Sequence, residues 1–456
     1  MSAASDPRRA RRGRVALTLA TAAALTTGGA AGAGAPVAAA TAADGAILRY
    51  TFDDLVTEGG QVPEEAVVTD SAGGHDGFVF SSGATVVPGP SGRAGDLALS
   101  LPGGASTSAA PHVIIPPGLV AADATDITLS AWLNWSGAPT CTWPYGLGAD
   151  VNRYVFATTR CGANAYGAVK NGTTEIRAAA AAPAPTGTWV HVAVVVDGGT
   201  SITTYVNGVR VGSTATTLTA AAAAGTATYS GYLGKSFYPA DAYWSGAIDD
   251  FLVLGTALPD ADVAALGAPV YEHLAGVDAA VSLGDTSAVT ADLTLPSSGA
   301  NASAISWASS APGVVATTGK VVRPAAGAPD AVVQLTPTAT FGTRSVAGAP
   351  ITVTVKALPQ PVPLAVTATT RCVGATAYVA VQATNAAGAP ATITLTTPYG
   401  GRTVADVAPG RQAYQSFNTR AGQVVAGTVT VTATATIGGT PVTSTYQVAY
   451  EGRTCP

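Results

Sequence analysis

Residues 127–135 read Ile-Thr-Leu-Ser-Ala-Trp-Leu-Asn-Trp, and this stretch decides the fold class. Apolar side chains stand at every second position, which is the period of a β-strand with one face toward a core. A second stretch, Trp189–Val196, is almost continuously apolar and predicts a strand buried on both faces. Further along, Asn207-Gly208 predicts a type I′ hairpin turn, because both residues accept positive φ angles. Such short strands recur along the chain, so we expect an all-β protein built of sandwiches.

Composition and charge narrow the class of protein. The chain has 456 residues, and this length predicts roughly two to four domains. Hydrophobic residues make up 47% and charged residues 11%, a balance that excludes a disordered chain. The net charge is −5, so nothing would neutralise the phosphates of a nucleic acid. We therefore expect no nucleic-acid partner.

The first 42 residues have the organisation of a signal peptide. A basic segment is followed by the short apolar stretch Val15–Leu25 and by the small-residue site Ala40-Thr41-Ala42. The basic residues are Arg8, Arg9, Arg11, Arg12 and Arg14. We expect a secreted, extracellular protein whose mature chain begins near Ala43 or Asp44. The general and twin-arginine export routes both stay open, and we expect no membrane span later in the chain.

Export makes disulfide bonds the expected state of the four cysteines. They fall into two separated pairs, which predicts the bonds Cys141–Cys161 and Cys372–Cys455. The alternative use of cysteine is a metal site, but the sequence has no C-x-x-C spacing and four histidines in all.

Turn and proline signals divide the mature chain into three modules. The first covers residues 43–269 and ends with a short helix that Pro259 begins and Gly267 stops. The second, residues 270–357, is expected to hold six or seven short strands. Residues 358–363 form a proline-rich linker, and residues 364–456 form a third module closed by the Cys372–Cys455 bond.

Six segments of the first module occur in an order that marks a known family. They are Leu48–Asp54, Asp70–Gly77, Ile127–Leu133, Trp189–Val194, Tyr205–Val209 and Gly246–Phe251. On these segments, residues 46–267 resemble the laminin-G-like (concanavalin A-like) jelly-roll domain of secreted bacterial proteins, of an actinobacterial type. The resemblance implies a jelly-roll sandwich.

Two further resemblances cover the rest of the chain. Residues 276–357 are similar to an atypical bacterial Ig-like domain, and residues 364–456 resemble a C-terminal β-module of secreted actinobacterial proteins that act on glycans. The Ig-like motifs are Leu283–Thr286, Thr294–Pro296, Ile305–Ser310 and Gly319–Pro324. Together the resemblances imply a jelly roll followed by two smaller Ig-like sandwiches, with no room for a separate catalytic domain.

Two acidic doublets, Asp53-Asp54 and Asp249-Asp250, are the candidate metal ligands. In a jelly roll the first and last strands commonly pair, which would bring the doublets together. The resemblance implies a structural Ca²⁺ in this region, and carboxylate oxygens suit that ion. Asp53 and Asp250 are the preferred ligands. The alternative is that these acids cap turns.

Aromatic residues in expected loops are the candidate sugar-binding residues, because the C–H faces of sugars pack on aromatic rings. Trp143 and Tyr145 lie between the two cysteines of the first predicted disulfide. Tyr238 and Tyr243 precede the last strand of the first module. The alternative is that these rings cover the ends of the sandwich.

The sequence gives no candidate catalytic residues. The Glu-x-Asp-x-(x)-Glu strand of concanavalin A-like glucanases is missing, and no nucleophile-elbow motif occurs. His191 alternates with apolar neighbours and is expected to be a structural histidine. We therefore expect a non-catalytic, lectin-like protein that binds plant or microbial polysaccharide. The alternatives are a structural or adhesive role toward an extracellular protein, and a glycoside hydrolase with an unrecognised site.

Overall fold

The structure is a computed structural model that describes residues 45–225 and 230–456. The predicted signal peptide, residues 1–42, lies outside the described residues. Strands dominate the described part of the chain, and the prediction of an all-β protein is confirmed. No helix within those described ranges is long and apolar enough to cross a membrane.

The first module consists of short strands joined by turns. In chain order the strands are β1 (Ala46–Tyr50), β2 (Val67–Val68), β3 (Gly77–Phe80), β4 (Thr85–Pro88), β5 (Leu97–Gly104), β6 (His112–Ile115), β7 (Ile127–Trp135), β8 (Tyr145–Asp150), β9 (Arg153–Cys161), β10 (Asn164–Asn171), β11 (Glu175–Ala179), β12 (Val190–Asp197), β13 (Ser201–Val206), β14 (Val209–Ala215), β15 (Gly231–Leu233) and β16 (Tyr243–Leu254). A one-turn helix, α1 (Ala220–Ala224), is capped by the Thr219 side chain. The hairpin β13–β14 turns at Asn207-Gly208, as predicted.

These strands form two antiparallel sheets that enclose one core. Sheet I has the order β14-β13-β12-β7-β16-β5-β4, and β1 also pairs with β16. Sheet II has the order β11-β10-β9-β8-β15-β6-β3-β2. Alternate residues of β7 face the core, where Leu129 and Leu133 are fully buried beside Val155 of sheet II. The alternation in the sequence therefore predicted the correct inward face.

Two consecutive helices follow the jelly roll. The first, α2 (Asp260–Leu266), lies where Pro259 and Gly267 predict it. The second, α3 (Ala268–Ala279), occupies a stretch that the sequence analysis assigned to the boundary and to the start of a strand module. That assignment is wrong, because Pro269 lies in the first turn of α3, where proline is tolerated.

Helix α3 fixes the second module against the outer face of sheet I. Tyr271 of α3 packs edge-on against Trp132 with ring centroids 5.4 Å apart, and Phe341 of the second module stacks on Trp132 at 6.4 Å. His191 is buried in this joint, with Nε2 at 2.5 Å from the Ser130 hydroxyl and Nδ1 at 2.8 Å from the Tyr271 hydroxyl. His191 is thus a hydrogen-bonded structural histidine, as predicted.

The second module has fewer strands than predicted. Sheet III has the order β17-β18-β19, and β20 also pairs with β18. Its strands are β17 (Ala304–Ser309), β18 (Ala331–Phe341), β19 (Arg344–Ala347) and β20 (Ile351–Val355). Other extended segments of residues 270–357 form isolated bridges, such as Val289 with Val355, and their short pairings explain the smaller number.

The third module is a two-sheet sandwich. Its strands are β21 (Leu364–Val373), β22 (Thr376–Asn385), β23 (Ala391–Thr397), β24 (Gly400–Val407), β25 (Gln412–Asn418), β26 (Gln423–Val424), β27 (Gly427–Ile437), β28 (Thr440–Tyr450) and β29 (Arg453–Thr454). Sheet IV has the order β21-β22-β25, sheet V has the order β24-β23-β27-β28, and β26 pairs with β29. Both predicted disulfides, Cys141–Cys161 and Cys372–Cys455, are formed.

Candidate functional site

Two of the four aromatic residues predicted to bind sugar are buried. Tyr145 is 0% exposed: it lies on β8 with its ring in the core, and its hydroxyl donates to the Val192 carbonyl at 3.0 Å. Trp143 is 4% exposed and stacks on Phe156 with ring centroids 3.8 Å apart. The prediction that Trp143 and Tyr145 form an exposed platform is therefore wrong, because the segment between the two cysteines is mainly a β-hairpin whose Tyr145 points inward.

The Trp143 ring lies flat on the outer face of sheet II, because the residue of β8 beneath it is Gly146. A Cβ on Gly146 would come within 2.8 Å of the indole ring and 3.1 Å of Phe156. Only glycine leaves room for so close an approach. Tyr154 closes another side of the indole, edge-on, at 4.8 Å between ring centroids. Trp143 is thus the buried floor of an aromatic cluster.

Tyr238 lies on top of this floor and is half-buried. Its ring centroid is 6.2 Å from that of Trp143. Its hydroxyl accepts a hydrogen bond from Lys170 Nζ at 3.0 Å, and it donates to the Val151 carbonyl at 3.2 Å. The Lys170 ammonium also stands 5.6 Å from the centroid of the Tyr238 ring, within cation–π range. These contacts hold the Tyr238 ring in one orientation.

Tyr243, the fourth predicted residue, begins β16 of sheet I, and its ring reaches His112 at the other end of this face. Its ring is 5.6 Å from that of His112, which is 5.0 Å from Phe80 and 5.7 Å from Tyr232. Phe80 is 41% exposed, and Tyr232 and Tyr243 are half-buried. Burial lowers the pKa of His112 to about 4, so this ring is neutral at neutral pH.

The two ends are joined into one strip of rings by Phe237. Its ring is 5.9 Å from Trp143 and 5.2 Å from Tyr232. The strip crosses sheet II from β9, on whose Phe156 the Trp143 ring is stacked, to Phe80 on β3, and four strand spacings of about 4.8 Å give it a length of about 19 Å. We call this set the aromatic strip: it consists of Phe80, His112, Trp143, Tyr232, Phe237, Tyr238 and Tyr243.

Charged groups stand along the edges of the aromatic strip. Lys235 Nζ lies 4.8 Å from the centroid of Tyr232, and burial lowers the pKa of this lysine. Asp241 accepts a hydrogen bond from Ser236 at 2.7 Å, and burial raises its pKa. Glu175 accepts from the hydroxyl of Tyr154 at 2.5 Å. The strip is therefore an apolar floor bordered by fixed hydrogen-bonding groups.

The predicted acidic doublets do come together, because β1 pairs with β16 and places Tyr50 opposite Phe251. Asp53 accepts a hydrogen bond from the Leu97 N–H at 2.9 Å. Asp250 forms an ion pair with Arg49 at 3.3 Å, so this carboxylate already has a cationic partner. Asp54 is exposed beside this set.

Asp249 and Asp96 form the interior of this acidic cluster. Asp249 is 1% exposed, and its Oδ2 is buried without a hydrogen-bond partner. A Cβ on Gly89 would lie 2.8 Å from that oxygen and 2.5 Å from Asp96 Oδ2, so the two carboxylates approach the same point. Burial and the charges of Asp250, Asp96 and Asp53 raise the pKa of Asp249 to about 9.

The oxygen chemistry of the acidic cluster suits a hard cation, but the cluster is not a preformed metal centre. Among residues 45–225 and 230–456, no three or more His, Cys, Asp or Glu side chains are grouped so that they could hold a metal ion. A cation at Asp53, Asp96 and Asp249 would therefore require these side chains to move toward it.

Comparison with known families identifies the first two modules. Residues 107–264 match the family model of the concanavalin A-like lectin/glucanases superfamily, and residues 274–358 match that of the atrophied bacterial Ig domain. The chain joins a concanavalin A-like domain to an atrophied bacterial Ig domain. The resemblances predicted for these two modules are thereby confirmed, and that of residues 364–456 stays a prediction. No curated protein matches the chain.

Comparison with solved structures gives matches of low identity and low TM-score. Domain 4 of AbnA, an extracellular arabinanase from Geobacillus stearothermophilus solved with arabinotriose, is 21% identical, with 48% of this chain and 97% of that chain covered and a TM-score of 0.38. A pentraxin from Limulus polyphemus is 15% identical, with coverage of 31% and 69% and a TM-score of 0.25. The binding domain of botulinum neurotoxin DC is 12% identical, with coverage of 82% and 94% and a TM-score of 0.37.

The concanavalin A-like domain also has a cleft of ≈ 800 Å³ between the loop of residues 91–96, sheet I and helix α3. Asp53, Asp96 and Asp250 line this cleft. A glycosidase needs a protonated acid and a carboxylate that both reach the sugar ring. Asp249, whose pKa is raised to about 9, is buried and does not line the cleft. Asp250 does line it, and burial raises its pKa too, but its carboxylate is paired with Arg49. The absence of catalysis stays a prediction.

Sequence reasoning missed part of the site. Phe80, His112 and Tyr232 come from separate strands, and only the strand order of sheet II places them side by side. Asp96 was missed because it stands alone in a loop, without the doublet that marks the other acids. Its position directly before β5, a neighbour of β16, is the signal that connects it to Asp249.

Proposed function

We propose that this chain is a secreted, non-catalytic protein that binds polysaccharide along the aromatic strip of its concanavalin A-like domain. One observation carries the proposal: the rings of the strip are contiguous across sheet II, and Tyr232, Phe237, Tyr238 and Tyr243 are half-exposed. Sugar C–H faces pack on aromatic rings, while sugar hydroxyls need hydrogen-bonding groups beside them. The strip offers both along its length.

The rigidity of the aromatic strip supports this role. Tyr238 is held by Lys170 and by the Val151 carbonyl, and Phe237 lies between Trp143 and Tyr232. Rings that are already ordered lose little conformational freedom when a ligand binds. A linear glycan about as long as the strip would contact several rings at once. The two disulfides support an extracellular location, since disulfides persist in oxidising compartments.

We further propose that Ca²⁺ stabilises the domain at the acidic cluster. Asp53, Asp96 and Asp249 would hold the ion, because Asp249 Oδ2 is buried without a partner and Asp96 Oδ2 lies near it. Asp250 is already paired with Arg49 and is left out of the set. Bound Ca²⁺ would supply the positive charge that three converging carboxylates lack. This role is structural, and no step of binding to polysaccharide depends on it.

A second candidate function is adhesion to an extracellular protein. The burial of Trp143 and Tyr145 favours it, because two predicted sugar contacts are unavailable at the surface. The exposure of Phe80 at one end of the strip also suits an apolar protein contact. The hydrogen-bonding groups along the strip favour the glycan.

The proposal is tested by retention of the full chain on immobilised arabinan, xylan, β-glucan and polygalacturonate. We expect retention on at least one of them, and loss of that retention in Phe237→Ala/Tyr238→Ala. Val209→Ala is the control, since this residue is 48% exposed and belongs to the opposite sheet. Thermal unfolding checks that each variant is folded.

Each outcome separates the candidates. Retention that is lost only in the strip variant supports polysaccharide binding at this face. Wild-type chain that passes through every column contradicts the proposal and leaves protein adhesion. Equal retention of wild type and strip variant would mean that another surface binds the glycan.

A further inference from the structure

The outer face of sheet IV, in the third module, carries aromatic and amide side chains. Alternate residues of β22 point into the core, where Val379 and Val381 are fully buried. The residues between them therefore face outward. Tyr378 is half-buried, and Tyr414 on the neighbouring strand is 41% exposed. Tyr414 lies opposite Gln382 in the ladder, so these two side chains share the outer face.

The two tyrosines stand at opposite ends of a shallow depression. Tyr378 pairs with Asn418 and Tyr414 lies four residues earlier on the same strand, which separates the two positions by about 14 Å at 3.4 Å per residue. The small side chains of Ala380 and Ser416 lie opposite each other between them. The surface is therefore lower in the middle than at its two aromatic ends.

The polar groups of this face are set up to meet hydroxyl groups. Asn418 Nδ2 donates to the Tyr378 hydroxyl at 3.1 Å, which orients that ring. The Ser416 hydroxyl, at the centre of the face, is buried without a hydrogen-bond partner. This hydroxyl is buried, so the groups of the face that a ligand can reach are the amides at its surface. The amides of Gln382 and Gln412 add both donors and acceptors.

Charge excludes several classes of partner. Among the outward residues of the fully described strands β21, β22 and β25, only Arg371 is charged. A face with a single charge gives little attraction to polyanions or to a charged protein surface. Rings, amides and hydroxyls without charge match an uncharged, hydroxyl-rich chain.

The opposite sheet of the same module differs sharply in its chemistry. Its strand β27 carries threonine at alternate outward positions: Thr428, Thr430, Thr432, Thr434 and Thr436. Threonines in neighbouring strands bond to one another there, as Thr434 does to Thr443 at 3.0 Å. Such pairs stabilise an exposed sheet and leave few free groups. Aromatic rings with amides are thus a property of the sheet IV face, and sheet V is its control.

We propose that the sheet IV face is a second glycan-binding surface, which takes an uncharged polysaccharide between Tyr378 and Tyr414. The inference rests on the proposed function to the extent that both surfaces take glycans, but it concerns a separate module. Two sites on one chain convert weak single-site contacts into a stronger bivalent attachment, by roughly 10²–10⁴-fold when both can engage one polymer.

The experiment uses four full-length proteins: wild type, the strip variant Phe237→Ala/Tyr238→Ala, the sheet IV variant Tyr378→Ala/Tyr414→Ala, and the combination of both. Their binding isotherms are measured on insoluble arabinan, xylan and β-glucan, with polygalacturonate as the charged comparison. Thr432→Ala is the matched control on sheet V, and thermal unfolding verifies folding. Single substitutions Tyr378→Phe and Tyr414→Phe preserve the rings if the alanine variant is unstable.

We expect the sheet IV variant to bind an uncharged polysaccharide at least tenfold more weakly than wild type, and the combined variant to lose binding. The inference is overturned if the sheet IV variant binds as tightly as wild type and the combined variant binds as weakly as the strip variant. The proposed function stands in that case. Loss in the sheet IV variant with no loss in the strip variant leaves the inference standing and contradicts the proposed function. A wild type that binds none of the polysaccharides overturns both.

Discussion

Acidification is expected to destabilise the joint between the concanavalin A-like domain and the Ig domain through His191. The imidazole is 2% exposed, and its two nitrogens meet the hydroxyls of Ser130 and Tyr271. Burial lowers the pKa of His191 to about 3, whereas the unfolded value is about 6.5. Between about pH 3 and pH 6.5, the His191 ring is therefore neutral in the folded protein and protonated in the unfolded chain.

The sign and size of the effect follow from linkage. Below about pH 6.5 the unfolded chain binds a proton at His191 that the folded protein does not bind. The free energy of unfolding then falls as the pH falls, by at most about 1.4 kcal/mol per pH unit. At pH 4 the loss from this residue amounts to about 3 kcal/mol. Above pH 6.5 the stabilising contribution is complete.

The assay is urea unfolding of the full chain between pH 7.5 and pH 4, followed by tryptophan fluorescence. Trp132 reports on the joint, because its ring lies 5.3 Å from that of His191. The variant His191→Gln keeps hydrogen-bonding groups but cannot titrate, so it should lose about 3 kcal/mol less than wild type on going to pH 4. Other titrating groups, such as His112, are present in both proteins and cancel in the difference. Identical losses in the two proteins would refute the reasoning.

Three further predictions concern the metal, the disulfides and the floor of the strip. Excess Ca²⁺ should raise the unfolding temperature of wild type, because a ligand at 100 times its Kd stabilises the folded state by about 2.7 kcal/mol. Asp249→Asn should abolish this rise. An equal rise in the variant would exclude the acidic cluster as the calcium site. Cys372→Ser/Cys455→Ser removes a disulfide that joins residues 83 apart in sequence. We expect the free energy of unfolding of the third module, measured by chemical unfolding, to fall by about 4 to 5 kcal/mol. An unchanged midpoint would contradict this. Trp143→Ala should lower the free energy of unfolding by about 3 to 5 kcal/mol, because the indole stacks on Phe156. Thermal unfolding measures this change. An unchanged unfolding temperature would show that the ring is not part of the packed floor.

Local patterns were sufficient to predict the fold class. The alternation in 127–135 identified the buried face of β7, and Asn207-Gly208 identified the hairpin, because both signals act within one or two strands. Helix α3 was missed because Gly267 was interpreted as the stop of the last helix of the first module. Its buried residues Val270, Tyr271 and Leu274 have helical spacing, which is the signal that would have revealed it.

The site was less predictable, because it depends on which strands become neighbours. Tyr238 and Tyr243 were identified from the sequence, but Phe80 and Tyr232 join them only through the order of sheet II. Trp143 was correctly assigned to the site but wrongly expected to be exposed. Its burial depends on Gly146, which lies in a strand that was expected to be a loop. The apolar periodicity of a sequence predicts neither which distant strands pair nor where a missing Cβ lets a ring approach the backbone.

The most direct test of the central claim is a calorimetric titration of the full chain with oligosaccharides released from the polysaccharide that retains it. We expect Phe237→Ala and Tyr238→Ala each to raise Kd about tenfold, since one ring contact contributes roughly 0.5–1.5 kcal/mol beyond its buried area. Val209→Ala should leave Kd unchanged. Equal Kd values for wild type and both strip variants would contradict polysaccharide binding along the aromatic strip.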